Sequence, residues 1–189
     1  MIVVGASIGG TRALQVLLSA LPVGFAQTMV IVLHRHRESD GGLIELLQQA
    51  SALPVAEIVD KQPIGRGVFV APADYHLLID AGRFSLSIDE PVRFARPSID
   101  VLFESAAAAG YVNLIGVILT GGGADGALGA AAIEAVGGRV LVQSPEESLG
   151  ADMPRAALAR TTRAEVHALT DLAQRIVELA GEEQDDGRA

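Results

Sequence analysis

Short apolar segments alternate with segments of helical periodicity along most of the chain. Apolar runs lie at 1–4, 28–33 and 114–119, and two further short strands are predicted at 55–59 and 140–143. Between them, apolar residues recur at three- and four-residue spacing, which predicts helices at 11–21, 41–50, 98–109, 126–136, after 153 and at 170–182. Strands that are apolar throughout are typical of parallel sheets covered on both faces. The pattern therefore predicts an α/β fold with a doubly wound, mainly parallel sheet, helices on both faces and right-handed crossovers.

The segment 67–90 has a different pattern of apolar and turn residues. Three short β runs, separated by turn residues, lie at 68–71, 75–79 and 84–88. This pattern predicts a small antiparallel hairpin attached to the parallel core. We expect one domain over residues 1–182, followed by a polar, disordered tail at 183–189.

Composition narrows the classes of function. Half of the 189 residues are hydrophobic, and the net charge is −9. Because no stripe of lysine and arginine is present, we expect no nucleic-acid partner. The absence of cysteine excludes disulfides, thiolate metal sites and a cysteine nucleophile. The chain also lacks a signal-peptide pattern and an apolar run long enough to span a membrane, so we expect a cytoplasmic protein that is not membrane-inserted.

Three of the apolar runs end in polar residues of one chemical set. Ser7 follows the first run, His34 follows the run at 28–33, and Asp125 lies in the glycine-rich segment after the run at 114–119. Ligands and catalytic groups collect at the carboxyl ends of parallel strands, so these three residues can converge although they lie far apart in sequence. A serine, a histidine and an aspartate in contact form a nucleophile, a general base and an acid that orients the base, usually through the Nδ1 proton.

Each of the three residues has other interpretations. Gly5-x-Ser7-x-Gly9 fits a nucleophile elbow, but Ser7 also fits a helix N-cap or an anion site in a glycine-rich turn. His36 competes with His34, which we favour because it lies nearer the strand end. Asp125 fits an N-cap of the helix that follows it.

Two further features bear on the chemistry of the site. Gly121, Gly122 and Gly123 would let backbone amides approach a ligand closely, and such amides can hold a tetrahedral oxyanion. A zinc site would need a third ligand besides His34 and His36, and only His76 and His167 remain among the histidines. We therefore predict no metal site.

Taken together, six segments resemble the catalytic domain of the chemotaxis protein-glutamate methylesterases, the CheB family. The resemblance covers about residues 1 to 169 and is carried by Gly5-Ala6-Ser7-Ile8-Gly9-Gly10, Val32-Leu33-His34, the segments 70–77 and 96–103, Gly116 to Gly121 with Asp125-Gly126-Ala127, and Met153-Pro154-Arg155-Ala156-Ala157.

The resemblance implies an activity and a site. It places the family's nucleophile, base and orienting acid on Ser7, His34 and Asp125, and it implies that His167 is structural or exposed. The implied substrate is a glutamate γ-methyl ester on a methyl-accepting chemotaxis receptor, with deamidation of receptor glutamines as a second reaction. The implied chemistry needs no metal or organic cofactor. A methyltransferase or a receiver domain, in the same pathway or chain, is an implied partner.

The chain departs from the family pattern in three places. The family's Ser-Thr-Gly-Gly is here Ser7-Ile8-Gly9-Gly10, and its Gly-Met-Gly-Asn-Asp is here Gly121-Gly122-Gly123-Ala124-Asp125. By resemblance, the oxyanion donor is the backbone amide of Gly122, with Ile8 and Gly123 in the same active-site loops. Regulated family members carry an N-terminal receiver domain, whereas this chain begins on the first catalytic strand, which indicates either a free-standing member or a piece of a larger protein.

Two other classes of function remain open from the sequence. The departures at Ile8 and Gly122 are compatible with a signalling or binding module of this fold that has weak turnover. A nucleotide-binding α/β protein would use Gly5 to Gly10 as its anion site.

Overall fold

The structure of the chain is a computed structural model, and it describes residues 1–35 and 42–185. The elements alternate as the sequence pattern predicts. They are β1 (Ile2–Ala6), α1 (Gly10–Ser19), β2 (Thr28–Leu33), α2 (Leu43–Ala50), β3 (Val55–Glu57), β4 (Gly67–Val70), β5 (His76–Asp80), β6 (Arg83–Ser87), α3 (Ile99–Ala108), β7 (Ile115–Ile118), α4 (Ala127–Ala135), β8 (Arg139–Gln143), α5 (Asp152–Arg160), β9 (Glu165–His167) and α6 (Leu169–Asp185).

Seven of the described strands form one parallel sheet in the order β3-β4-β2-β1-β7-β8-β9. β1 lies in the middle, with β2 on one side and β7 on the other. The chain therefore builds the sheet outward from β1 in one direction and later returns to build it in the other. Such a reversal leaves a crevice at the carboxyl ends of the central strands.

The sheet is buried on both faces. Along β1, Ile2 and Val4 belong to a core packed under α1, α2 and α6, whereas Val3 belongs to a core packed under α3, α4, α5 and the hairpin. Because successive side chains of a strand point to opposite faces, a strand covered on both sides has to be apolar at every position. This confirms the predicted doubly wound fold.

The two remaining described strands, β5 and β6, form the predicted antiparallel hairpin. Its two-residue turn consists of Ala81 and Gly82, both with positive φ (45° and 75°), as hairpin turns that match the strand twist require. The hairpin packs on the sheet, where the rings of Phe84 and Phe69 lie 5.1 Å apart.

The structure corrects three details of the predicted fold. The run at 68–71 is not hairpin material: β4 pairs with β2 and β3 in the parallel sheet, and all four of its residues are buried, which explains its unbroken apolar pattern. β9 was not predicted, because its three residues include two polar ones. The last helix extends to Asp185, three residues past the predicted boundary at 182, where glutamates and a glutamine favour helix. Residues 186–189 of the predicted tail lie outside the described residues.

No helix of the described chain is long and apolar enough to cross a membrane.

An ionic cluster holds the edge strand β9. Glu165 accepts hydrogen bonds from Arg175 on α6, from Arg139 on β8 and from His167. The bond from Arg175, against the opposing effect of burial and with help from Arg139 and His167, lowers the pKa of Glu165 from 4.5 to about 2. The ionised form of Glu165 therefore ties the strand to both neighbouring elements at neutral pH.

We predict that Glu165→Gln destabilises the fold in a pH-dependent way. Since the folded-state pKa is lowered, the stabilising contribution is present above pH 4.5 and is lost as the pH falls through about 2. At neutral pH the substitution should lower the free energy of unfolding by about 1–2 kcal/mol, allowing for solvent screening, and near pH 2.5 by a much smaller amount, about 0.5 kcal/mol. Urea denaturation at the two pH values measures the difference.

The matched control is Glu45→Gln, because Glu45 makes no ion pair within the described residues. An equal loss of stability at both pH values for Glu165→Gln would contradict the prediction.

Candidate active site

The three predicted residues line one cleft at the carboxyl edge of the sheet. Ser7 follows β1, His34 follows β2 and Asp125 lies in the loop after β7. The cleft has a volume of about 490 Å³, and the residues that line it are Ser7, Ile8, His34, Arg35, Arg93, Phe94, Ala95, Arg96, Pro97, Gly122, Gly123, Ala124 and Asp125. The fold thus brings together residues that are up to 118 positions apart in the sequence.

Ser7 lies on a tight turn between β1 and α1. Its amide donates to the carbonyl of Thr120 (3.0 Å), and its carbonyl accepts from the amide of Gly10 (2.7 Å). Gly9 has φ of 77°, a conformation that favours glycine. A side chain at Gly10 would lie 2.6 Å from Leu33 Cδ1, so α1 can approach the sheet only with glycine there.

The Ser7 hydroxyl makes no hydrogen bond within the described chain. The N-cap of α1 is Gly9, and no side chain caps that helix. The interpretation of Ser7 as a helix cap is therefore wrong, and the hydroxyl stands half-buried in the cleft. A hydroxyl in this state is available to a nucleophilic role or to a ligand.

His34 is held by both its backbone and its ring. Its amide donates to the carbonyl of Ala6 (3.0 Å), and its Nε2 lies 2.8 Å from Oδ2 of Asp125. Since a carboxylate only accepts, Nε2 carries the proton and Nδ1 presents its lone pair. The general expectation that Asp125 binds Nδ1 is thus wrong for this chain.

The strand order explains which nitrogen binds Asp125. β1 lies between β2 and β7, so the His34 ring has to reach across the end of β1 to meet a residue that follows β7. Nε2 is the ring nitrogen farther from the backbone, and it therefore reaches Asp125. Nδ1 makes no hydrogen bond within the described residues.

Asp125 is a buried carboxylate, 4% exposed, whose oxygens are held by donors from three elements. Besides His34 Nε2, it accepts from the Ser98 hydroxyl (2.8 Å) and from the amides of Ile99 (2.7 Å), Asp100 (3.0 Å) and Gly126 (3.1 Å). Two of these amides open α3. The N-cap of the following helix α4 is Gly126, so Asp125 binds chiefly the N-terminus of α3 rather than capping α4 as its position in the sequence suggests.

The charge of Asp125 follows from these contacts. Burial alone would raise the pKa of its carboxyl, but the hydrogen bonds from His34, Asp100 and Ile99 outweigh burial and lower the pKa below its ordinary value. Asp125 is therefore ionised at neutral pH. An ionised partner on Nε2 fixes the tautomer of His34 and stabilises a proton that arrives on Nδ1.

His76 is a positioning residue that the sequence reasoning did not assign to the site. It is buried (2% exposed), its Nδ1 accepts from the Ser98 amide (3.2 Å), and its Nε2 donates to the carbonyl of Glu90 (3.1 Å). His76 thereby holds Ser98, which is the N-cap of α3 and contacts Asp125. Because both ring nitrogens are used within the protein, His76 braces the site and offers no free nitrogen to a ligand.

Thr120 connects the two loops of the cleft and was also missed as a site residue. Its hydroxyl donates to the carbonyl of Ile8 (2.9 Å) and accepts from the amide of Gly150 (2.8 Å), while its amide donates to buried Gln143 (2.9 Å). The turn that carries Ser7 is therefore tied to the loop that carries Asp125. A threonine between the end of an apolar run and three glycines is the sequence signal that could have marked it.

The glycine loop beside Ser7 leaves backbone donors free. The amide of Gly121 donates to Gly150 (2.8 Å), but the amides of Gly122, Gly123 and Ala124 donate to no acceptor in the described part of the chain. A side chain on Gly122 would meet Ile8 Cδ1 at 3.1 Å, so Ile8 covers that position from the cleft.

The other histidines that could compete with His34 lie away from the cleft or outside the described residues. His167 lies on β9, where its Nε2 contacts Glu165 (3.2 Å), and it does not line the cleft. His36 lies outside the described residues. Among residues 1–35 and 42–181, no group of three or more histidine, cysteine, aspartate or glutamate side chains could hold a metal ion.

Comparisons with known proteins bear on the family of the chain. The family model described as CheB methylesterase matches residues 2–176. A protein of Leptospira interrogans, named provisionally as a protein-glutamate methylesterase/protein-glutamine glutaminase, is 43% identical over 180 residues, which are 94% of this chain and 93% of the relative.

A longer relative and a solved structure also match the chain. The protein-glutamate methylesterase/protein-glutamine glutaminase of Symbiobacterium thermophilum is 34% identical over 96% of this chain, which spans only 51% of that relative. The crystal structure of the Thermotoga maritima CheB methylesterase catalytic domain superposes with a TM-score of 0.86 at 29% identity, covering 94% of this chain and 97% of the other. The family match over nearly the whole chain, the named relatives and the shared fold together show that this chain belongs to the CheB methylesterase family.

Proposed function

We propose that the chain is a serine-type protein-glutamate methylesterase that acts on glutamate γ-methyl esters of methyl-accepting chemotaxis receptors in the cytoplasm. The observation that carries the proposal is the arrangement in one cleft of an unbonded Ser7 hydroxyl, the His34 imidazole and the buried, ionised Asp125. The names of the relatives support the reaction, and they support deamidation of receptor glutamines as a second activity.

The first half of the proposed reaction forms an acyl-enzyme. Nδ1 of His34 takes the proton of the Ser7 hydroxyl as Oγ attacks the ester carbonyl, giving a tetrahedral oxyanion. Asp125, bonded to Nε2, stabilises the imidazolium. The intermediate then expels methanol, which leaves with the proton from Nδ1.

The second half restores the enzyme. Water gives a proton to Nδ1 and attacks the acyl carbon, and collapse of the second tetrahedral intermediate returns the proton to Ser7 and releases the glutamate side chain. With a glutamine substrate, ammonia leaves in place of methanol. The chain's own residues account for every proton transfer, so the proposed mechanism assigns no step to a metal or organic cofactor.

The proposed oxyanion donors are backbone amides. Ile8, which follows the nucleophile, and Gly122, in the neighbouring glycine loop, both have amides without an acceptor in the described chain. The Ser7 amide is not available because it donates to Thr120. Gly123 provides a third unbonded amide in the same loop.

A receiver domain or a methyltransferase is the proposed partner in regulation, in line with relatives about twice as long as this chain.

We predict that methanol release from methylated receptor membranes requires Ser7 and His34 but not His167. Ser7→Ala and His34→Ala should lower the rate by about 10⁴-fold or more, because each removes a group that acts in the transition state. His167→Ala is the matched histidine control, and it should retain at least about half of the wild-type rate.

A fluorophosphonate probe that labels wild type but not Ser7→Ala would show the reactive hydroxyl independently of the receptor. A folded wild-type protein that releases no methanol from several receptor preparations would contradict the proposal. It would favour a binding module of this fold.

We predict that Gly122→Pro lowers methanol release by about 10²–10³-fold, because proline removes the backbone N–H proposed to bind the oxyanion. Gly122 is not among the residues with positive φ, so the left-handed conformation that disfavours side chains is not an obstacle there. The measured quantity is kcat at saturating receptor concentration.

Gly122→Ala is the matched control. It keeps the N–H, and its Cβ meets only the flexible end of Ile8 at 3.1 Å, so it should lose less than about 5-fold. Equal losses for the proline and alanine variants would contradict a role for this amide.

A further inference from the structure

A strained turn forms one wall of the cleft. Val92 and Ala95 exchange both backbone hydrogen bonds (3.1 and 2.9 Å), and the two residues between them, Arg93 and Phe94, have φ of 50° and 64°. Turns of this kind favour Asn-Gly or Asp-Gly, and a bulky residue in the left-handed region is uncommon. Arg93 and Phe94 therefore hold an unfavourable backbone conformation, whose free-energy cost a glycine or asparagine would avoid.

Exposure of the Phe94 ring to solvent is a second unfavourable feature of the turn. Its side chain is fully exposed (103% of the reference area), although it lines the cleft that holds Ser7. An aromatic ring that gains nothing from packing within the protein, on a backbone that disfavours it, indicates a role in binding.

Arg93 is the second side chain of the turn. Its Nε donates to Oδ2 of buried Asp100 (3.0 Å), which fixes the guanidinium, while its terminal nitrogens have no partner within the described chain. The other cleft arginines are engaged, because Arg96 binds Asp74 and two carbonyls, and Arg35 binds Glu57. In a chain of net charge −9, the cleft thus presents an anchored guanidinium with free N–H groups.

Apolar side chains also lie around the Ser7 turn. Ile8 is 57% exposed and lines the cleft, and Leu149 is 78% exposed, with its Cβ 3.0 Å from where a side chain on Gly9 would begin. A segment that passes over Ser7 would therefore meet aliphatic side chains as well as the Arg93–Phe94 pair. An amphipathic helix with carboxylates beside the reacting glutamate matches this distribution.

We propose that the Arg93–Phe94 turn binds the substrate helix, with Phe94 against an apolar side chain and Arg93 on a carboxylate about one helical turn from the esterified glutamate. The proposal rests on the proposed function and names the part of the site that selects a protein substrate. Residues on one helical face recur at three- and four-residue spacing, so one guanidinium and one ring suffice to set the register of the helix. The turn contributes to binding of the substrate helix, whereas Ser7, His34 and Asp125 contribute to cleavage of the ester bond.

The test compares a small ester with a protein ester. Arg93→Gln keeps one donor for Asp100 but removes the charge and the free N–H groups, and Phe94→Asn removes the ring while tolerating positive φ. For each variant, kcat/KM is measured on p-nitrophenyl acetate and on a methylated cytoplasmic receptor fragment. We expect the ratio of receptor to small-ester kcat/KM to fall about 10-fold in each variant, mainly through KM, as for an aromatic or arginine anchor of an interface.

Arg66→Gln and Val112→Ala are the matched controls, because both side chains are exposed and neither lines the cleft. Raising the ionic strength from about 0.05 M to about 0.5 M should weaken the wild-type preference for the receptor fragment and affect Arg93→Gln much less. An equal loss on both substrates would overturn the proposal, since it would place the effect at the catalytic centre. An unchanged ratio would overturn it as well.

Binding of the receptor fragment to Ser7→Ala, measured by calorimetry, separates this proposal from the proposed function. If wild type hydrolyses neither ester, the proposed function fails, but weaker binding by Arg93→Gln and Phe94→Asn in the Ser7→Ala background would still support recognition by the turn. No binding, or binding that both substitutions leave unchanged, would overturn it.

Discussion

The carboxylate of Asp125 is buried and receives hydrogen bonds from His34, Ser98 and three backbone amides. Burying an unpaired carboxylate would cost enough to neutralise it, whereas each hydrogen bond to a charged group contributes about 1.5–3 kcal/mol. The charge can therefore exist here only if the start of α3, the loop after β7 and the end of β2 meet at one point. The same contacts that make the charge tolerable also fix the three loops of the cleft.

A second layer of contacts makes this meeting point rigid. His76 holds Ser98 at the start of α3, and Thr120 ties the Ser7 turn to the loops at Gly121 and Gly150. Both are polar side chains with little exposed surface, and each uses its donor and acceptor groups within the protein. Neither residue lines the cleft, so His76 and Thr120 position the candidate catalytic residues without contacting the space where a substrate would lie.

The elements of the fold and the ends of the strands were predictable because the physical signal is local. A strand buried on both faces has to be apolar throughout, so the polar residue after it stands out, which is how Ser7, His34 and Asp125 were found. The predicted hairpin was right for β5 and β6 because turn residues mark it. β4 was misassigned because an apolar run of four residues does not specify its pairing direction. β9 was missed because two of its three residues are polar, and because its pairing with β8 joins segments more than twenty residues apart.

The details of the site depend on contacts that no local pattern contains. That Asp125 binds Nε2 of His34 follows from the position of β1 between β2 and β7, and that it binds α3 rather than capping α4 follows from how α3 packs. The role of His76 arises only when the hairpin meets α3. The effect of the two departures from the family pattern is likewise visible only in three dimensions: Ile8 covers the position that a side chain on Gly122 would occupy. At position 8 the family's threonine is replaced by an apolar side chain, and at position 122 the family's methionine side chain is absent. The proposed oxyanion donor, the backbone N–H of Gly122, stays in place. A change of this kind bears on the shape of the cleft rather than on the proposed oxyanion donor, and selection of the substrate then depends on the side chains that line the cleft, the Arg93–Phe94 turn among them.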